Sequence, residues 1–408
     1  MPTSAKLSNL MGIQEYDVVI VGGGTAGISV AARLARALRG GSVAVVEPAT
    51  VHCYQPLWTL VGGGVLPAAR TRRPQASVIP RRVTWIREAA AELLPDRRRV
   101  RTASGQVLGY RALVVACGIE LDWGAVDGLP DALGRDGVVS NYAGAGAGAE
   151  ATWRALRELD GGEAVFTMPA PPIKCAGAPQ KIAYLADDHF RRRGVRDRIR
   201  ITYAAATPGI FAVPEYARAL DRVIDRKGIE TRYRHVLTAV RPRSREAVFR
   251  DEADGREVVL RYDLLHAVPP QRAPELVRSS PLADAGGWLE VDKETLRHPR
   301  HDDVFALGDA SNLPTSKTGA AVRKQVPVVV DGVLRALGRE GRGLRYDGYT
   351  SCPLVTGYGR LILAEFDYSG RPTPSFPFDT TRERRSMYEL KRRGLPLLYW
   401  HGMLRGRA

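Results

Sequence analysis

Apolar residues in this chain gather in short, almost unbroken runs, several of them closed by a small-residue turn. Tyr16–Val21 reads Tyr-Asp-Val-Val-Ile-Val, which predicts a buried parallel strand. Gly22-Gly23-Gly24-Thr25-Ala26-Gly27 follows at once, and then a helical pattern through Ile28, Ala31, Ala32, Leu34 and Ala35. Ser42–Val46 predicts the next strand and ends in Glu47. Leu113–Gly118, Ala164–Met168 and Val304–Asp309 are further runs of the same kind. Strand, glycine turn, helix and strand in that order predict an α/β protein built on Rossmann-like units. The longest uncharged stretch, Pro48–Ala69, holds three prolines and three glycines as well as His52 and Gln55, so it does not predict a membrane-spanning helix.

The first glycine turn has a chemistry of its own. Gly22 makes the tight turn, Gly24 lets a pyrophosphate approach the backbone, and Gly27 allows helix and sheet to touch. Thr25 and Ala26 open the helix, whose free N–H groups and positive end suit phosphate. Glu47, twenty residues beyond Gly27, is placed to accept hydrogen bonds from an adenosine ribose. This unit alone does not separate FAD from NAD. Leu113–Gly118, a strand ending in the turn at Gly118, and Val304–Asp309, a strand ending in an acid, resemble the FAD half of the flavoprotein disulfide-reductase superfamily. There that acid hydrogen-bonds the flavin's ribityl chain, which nominates Asp309.

In that superfamily a second Rossmann unit binds NAD(P)H. Here the strand Ala164–Met168 runs instead into Pro169-Ala-Pro-Pro-Ile-Lys-Cys-Ala-Gly-Ala-Pro-Gln180. Proline has no N–H and a fixed φ, so this turn predicts no phosphate cradle. It presents Cys175, beside Lys174, where a nicotinamide site would lie. Electrons are therefore expected to enter through sulfur.

Composition narrows the picture. The 408 residues suit two to three domains. The net charge of +16 is spread over short arginine runs, such as Arg97–Arg99 and Arg191–Arg193, that read as solvated faces. With no zinc-finger or RNA-binding signature, nucleic acid is not an expected partner. The four cysteines (Cys53, Cys117, Cys175 and Cys352) include no CxxC, which argues against structural zinc and leaves any working pair to be assembled by the fold. The leader before Val18 reads as too short for a signal peptide. Cys53 and Cys117 lie in apolar surroundings and read as core, and His235, His266 and His401 as structural or surface residues.

Pro172–Tyr184 and Ser351–Tyr368 are long, unusual segments, joined by His52–Gly63, Gly308–Thr318 and Leu398-Tyr-Trp400. Together they resemble the sulfide:quinone oxidoreductases of the type that includes the animal mitochondrial enzyme, from about Tyr16 to Arg405. Departures are Cys53, Cys117, and Arg323, Lys324 and Pro327 in the helix after Thr318. The resemblance implies two Rossmann-like domains, FAD-binding (14–125 with 285–345) and degenerate NAD-like (135–280), plus a C-terminal membrane-facing segment (346–408). It implies bound FAD, with Gln55, Ala90 and Lys317 as further contacts, and a redox pair, Cys175 and Cys352, linked by a disulfide or a sulfur-bridged variant. Hydrogen sulfide would attack Cys352 to give a persulfide, and Cys175 would pass the electron pair to the flavin. Lys181 and Lys391 would steady the reduced flavin's negative charge, and a membrane quinone would take the electrons. Glutathione, sulfite, cyanide or sulfide would remove the sulfane sulfur. The implied location is peripheral and monotopic, on a membrane such as the bacterial cytoplasmic one. Leu395–Arg407, with Trp, Tyr and arginines around an apolar core, suits the bilayer interface, and its competing reading is an ordinary docking helix. The alternatives in function are a type II NADH:quinone reductase, a flavocytochrome sulfide dehydrogenase, which would need a haem subunit, and a flavin-bearing sulfide or persulfide sensor without turnover.

Overall fold

A computed structural model describes residues 12–408. The strand Ile13–Val21 lies at the centre of the first sheet, parallel to Val43–Val46 on one side and Val107–Val115 on the other. Val18, Val19 and Ile20 are fully buried, because this strand lies between two parallel neighbours at the centre of the sheet. The strand Val304–Ala306 returns from far along the chain to pair with Leu113–Val115. That pairing brings Gly118 and Asp309 to the same end of the sheet as the glycine turn. Gly22 has φ +104, and a Cβ there would sit 2.5 Å from the carbonyl oxygen of Ala116, so only glycine fits.

The second sheet is parallel throughout, in the order Val138–Val139, Leu264–His266, Gly162–Met168, Ile199–Ala205 and Glu230–Tyr233. A three-stranded antiparallel sheet (His235–Arg241, Glu246–Asp251 and Glu257–Arg261) packs beside it. The hairpin Thr350–Gly357 and Arg360–Phe366 contributes Cys352, Leu354 and Ile362 to the core of the second unit. The helix Gly319–Ala336 is N-capped by Thr318 and runs through Pro327, with Lys324 turned outward and Arg323 half-buried. Neither basic residue enters the packed face of this helix, whose buried positions are valines and alanine with Gln325 and Asp331.

Much of the C-terminal segment packs against the first unit. Of the residues assigned to lipid, Tyr399, Trp400, Met403 and Leu404 are buried in the core of the first unit. Arg33 donates to the carbonyl oxygen of Ala408 (2.6 Å) and Arg36 to that of Gly406 (3.1 Å). Gly406, at φ +64, leaves room where a Cβ would lie 3.0 Å from the backbone of Ala32. Burying each large apolar side chain is worth about 1.5–3 kcal/mol. A basic residue near an anionic surface is worth only about 1 kcal/mol. Docking on the helix Thr25–Ala37 therefore wins, and it leaves Leu397 (62%) and Leu398 (38%) exposed. Among the described residues no helix is long and apolar enough to cross a membrane.

Candidate active site

The proline-rich loop is held on three sides. Lys174 N–H donates to Gln271 Oε1 (2.9 Å), Cys175 N–H to the Lys317 carbonyl (2.9 Å), and the Cys175 carbonyl accepts from Ala178 N–H (2.7 Å). These bonds fix Cys175 at φ +55, a left-handed conformation that costs a β-substituted residue about 1–2 kcal/mol. The helix Ala178–Arg192 then carries Lys181 back under the loop, where its Nζ donates to Cys175 Sγ at 3.3 Å. Lys181 is buried, and so is Lys391, whose Nζ donates to the Pro56 carbonyl (3.0 Å) from a wide π-helical turn.

Cys352 reaches the loop from the hairpin and is fully buried. Gly177 makes this approach possible, since a Cβ there would lie 2.3 Å from Leu354. Both cysteines are free, and their thiols meet. The Cys352 side chain beside it, with the charges of Lys181 and Lys391, holds the Cys175 thiol well below its ordinary range against the opposing effect of burial. The same neighbour and burial push Cys352 well above its range. Of the two, Cys175 is the more readily ionised. Burial, and then the charge of Lys181, brings Lys391 down to about 7.

The glycine turn fits a dinucleotide. A Cβ on Gly24 or Gly118 would meet nothing, so open space lies over both, while Gly27 presses within 1.8 Å, Cβ to oxygen, of the Gly22 carbonyl. Glu47 accepts from Gly23 N–H and Ala49 N–H, each at 2.7 Å, and its oxygens keep lone pairs for a ribose. Burial raises the Asp309 carboxyl against Lys317 and Lys174, and no described residue hydrogen-bonds to that carboxylate. Lys317 instead ties the loop itself, donating to the carbonyls of Asp309 (2.7 Å) and Ser311 (2.8 Å) with its Nζ over the Trp288 ring. Exposed Gln55 accepts from Lys174 Nζ (2.9 Å), so Lys174 turns away from the thiol beside it in sequence. Ala90 heads the outer antiparallel strand of the first sheet, opposite Thr102.

A buried network under the turn is absent from the sequence reading. His52 Nδ1 faces two acceptors, the Gly23 carbonyl (3.1 Å) and Gln75 Oε1 (3.2 Å), so it carries the proton. Burial lowers the His52 pKa and keeps the ring neutral. Nε2 then accepts from the Tyr399 hydroxyl at 2.6 Å, and that oxygen in turn accepts from Thr25 Oγ1 at 2.9 Å. The polar His52 inside an uncharged stretch was the available signal. Tyr399 stood out only within Leu398-Tyr-Trp400, 374 residues from Thr25, with nothing to tie it to the turn.

A dinucleotide cradle joined to a buried cysteine pair defines a disulfide-reductase-type oxidoreductase. Residues 16–325 match the family described as pyridine nucleotide-disulphide oxidoreductase. Within that class, the chain belongs to the sulfide:quinone oxidoreductase family. It is 46% identical over 393 residues to the mitochondrial sulfide:quinone oxidoreductase of Mus musculus, covering 96% of this chain and 87% of that protein. Identity to the Dictyostelium discoideum enzyme of the same name is 41%, over 96% and 86% of the two chains. The solved sulfide:quinone oxidoreductase of Aquifex aeolicus shares the fold, with a TM-score of 0.82 over 97% of this chain and 92% of that one, at 18% identity.

Proposed function

We propose that this chain oxidises hydrogen sulfide and delivers the electrons, by way of FAD, to a membrane quinone. The observation that carries this reading is the meeting of Cys175 and Cys352 where a second dinucleotide cradle would otherwise stand. In the oxidised form the two sulfurs are joined. Hydrosulfide attacks the Cys352 sulfur, the disulfide breaks, and Cys175 leaves as thiolate while Cys352 keeps the new sulfur as a persulfide. The low pKa of Cys175 makes it the better leaving group. Lys181 and Lys391 offset the charge that builds there. A small acceptor (glutathione, sulfite, cyanide or a second sulfide) removes the sulfane sulfur, and the two thiolates give up two electrons to rejoin. FAD, held by Gly22, Gly24, Thr25, Ala26, Gly27, Glu47, Gly118 and Asp309, supplies the two-electron acceptor that hands on to quinone. Gln55 stands at the exposed rim beside Lys174, and Lys317 keeps the Asp309 loop in place. A lipid-soluble quinone requires work at a membrane surface, and exposed Leu397 and Leu398 beside Arg393 are the apolar contact left for it.

The test is anaerobic mixing of the FAD-loaded protein with sulfide or with NADH. Sulfide should bleach the flavin and added quinone should restore it, while NADH should leave it yellow. Rapid bleaching by NADH would favour the type II NADH:quinone reductase reading, against which the prolines at positions 169, 171 and 172 stand.

A further inference from the structure

On the outer side of the molecule, a groove of about 640 Å³ opens where the helix Ala178–Arg192, the hairpin turn at Tyr358 and Gly359, and the C-terminal helix meet. Neither redox cysteine and no cradle residue lines it. Arg192, Arg360 and Arg385 do, and none of the three has an ion-pair partner among the described residues. Their neighbours are paired: Arg191 and Arg196 with Asp187, Arg193 with Asp160, and Arg226 with Glu383. The one carboxylate in the lining, Glu389, is already engaged by Arg392 (3.5 Å) and Arg393 (2.9 Å).

The walls add a second observation. The Arg192 guanidinium lies 4.1 Å over the Tyr358 ring, which holds its fork in a fixed plane. His189, edge-on to Trp153 at 4.6 Å, has a buried Nε2 with no hydrogen-bond partner among the described residues. Burial, then Arg193, Arg157 and Arg192, push His189 down to about 4, which marks the field in this corner as strongly positive. Unpaired arginines facing one cavity repel one another, an anion bridging them relieves that repulsion, and their forks match phosphate oxygens.

We propose that this groove binds a phosphate-ester anion. Two sources offer that chemistry, an anionic phospholipid headgroup and a soluble phosphomonoester. Arg385, Tyr388, Glu389 and Arg392 line the groove from the C-terminal helix, which goes on to exposed Leu397, so a headgroup bound here would have its acyl chains toward an apolar surface.

The experiment uses the full FAD-loaded chain. Glycerol 3-phosphate is titrated by calorimetry, and vesicles of phosphatidylcholine with or without phosphatidylglycerol are sedimented with the protein. His189 is followed by NMR during the phosphate titration. We expect binding in at least one arm, an upward shift of the His189 pKa on phosphate binding, and a loss of about tenfold or more with Arg192→Ser plus Arg385→Ser, as for a lost charge-assisted hydrogen bond. FAD content and melting temperature check the fold of that variant. Arg385→Ser alone, at an exposed unpaired residue, keeps the test valid if the pair misfolds. Loss confined to vesicles assigns the lipid source, and loss confined to glycerol phosphate the soluble one. An equal loss in an Arg243→Ser plus Arg339→Ser control, exposed arginines elsewhere, would reduce the effect to overall charge and overturn the groove. Absence of binding in both arms would overturn it too.

Discussion

Lys181 donates from Nζ to Cys175 Sγ across 3.3 Å, with 2% of the lysine exposed to solvent. A charge-assisted hydrogen bond of this kind is worth about 1.5–3 kcal/mol, or tenfold or more in rate if the thiolate must form. Lys181→Met is therefore expected to move the alkylation profile of Cys175 to higher pH in the reduced protein. Sulfide-dependent flavin reduction should slow by about tenfold or more at neutral pH. An unchanged alkylation profile would take Lys181 out of the thiolate site.

Lys391 carries a pH signature of its own. Its amine is ordinary at 10.5 in the unfolded chain and about 7 in the fold. Between those values the unfolded chain binds the extra proton, so this group's contribution to stability rises with pH across that window. Below about 7 both states are protonated, and the cost of the buried charge is borne in full. Lys391→Met should raise the melting temperature relative to wild type at about pH 6, with the gain fading towards pH 10. Scanning calorimetry across that range is the measurement, and a pH-independent difference would show that Lys391 does not titrate there.

The cysteines separate by environment. Burial pushes Cys117 up to about 12, and burial, partly countered by Arg72, raises Cys53 as well. Iodoacetamide at neutral pH should label Cys175 first in the reduced protein, as mass spectrometry can read. Cys175→Ala and Cys352→Ala should each abolish sulfide-dependent quinone reduction, while Cys53→Ser and Cys117→Ala largely spare it. Wild-type turnover in either of the first two would refute the pair.

Tyr399 ties the end of the chain to the phosphate turn. Tyr399→Phe removes the hydroxyl shared by Thr25 and His52, at a cost of about 1–3 kcal/mol for the groups left unpaired. A lower melting temperature and faster FAD release are expected. Deleting residues 395–408 should do more, stripping FAD because Trp400, Met403 and Leu404 leave the core with it. A truncated protein that kept its FAD and its melting temperature but lost liposome binding would restore the lipid-facing reading.

The local parts of this protein were written in the order of its residues. Strand, glycines, helix and acid from Tyr16 to Glu47 follow one another in the chain, so their periodicity and spacing sufficed to predict the cradle. Prolines in place of glycines after Met168 likewise announced the loss of a second one, because φ and a missing N–H are properties of single residues. Pairings across hundreds of residues were a different matter. The side chain of Lys174 turns to Gln55, and the partner of the Cys175 sulfur is Lys181, six residues along in the following helix; only the path of the backbone decided between them. The C-terminal helix had an amphipathic pattern that served lipid and protein equally well. It docks inward because the small residues of the helix Thr25–Ala37 and Gly406 let two backbones come within contact, a surface that exists only once the sheet has formed. Apolar periodicity states that a face must be covered, and tertiary packing supplies what covers it.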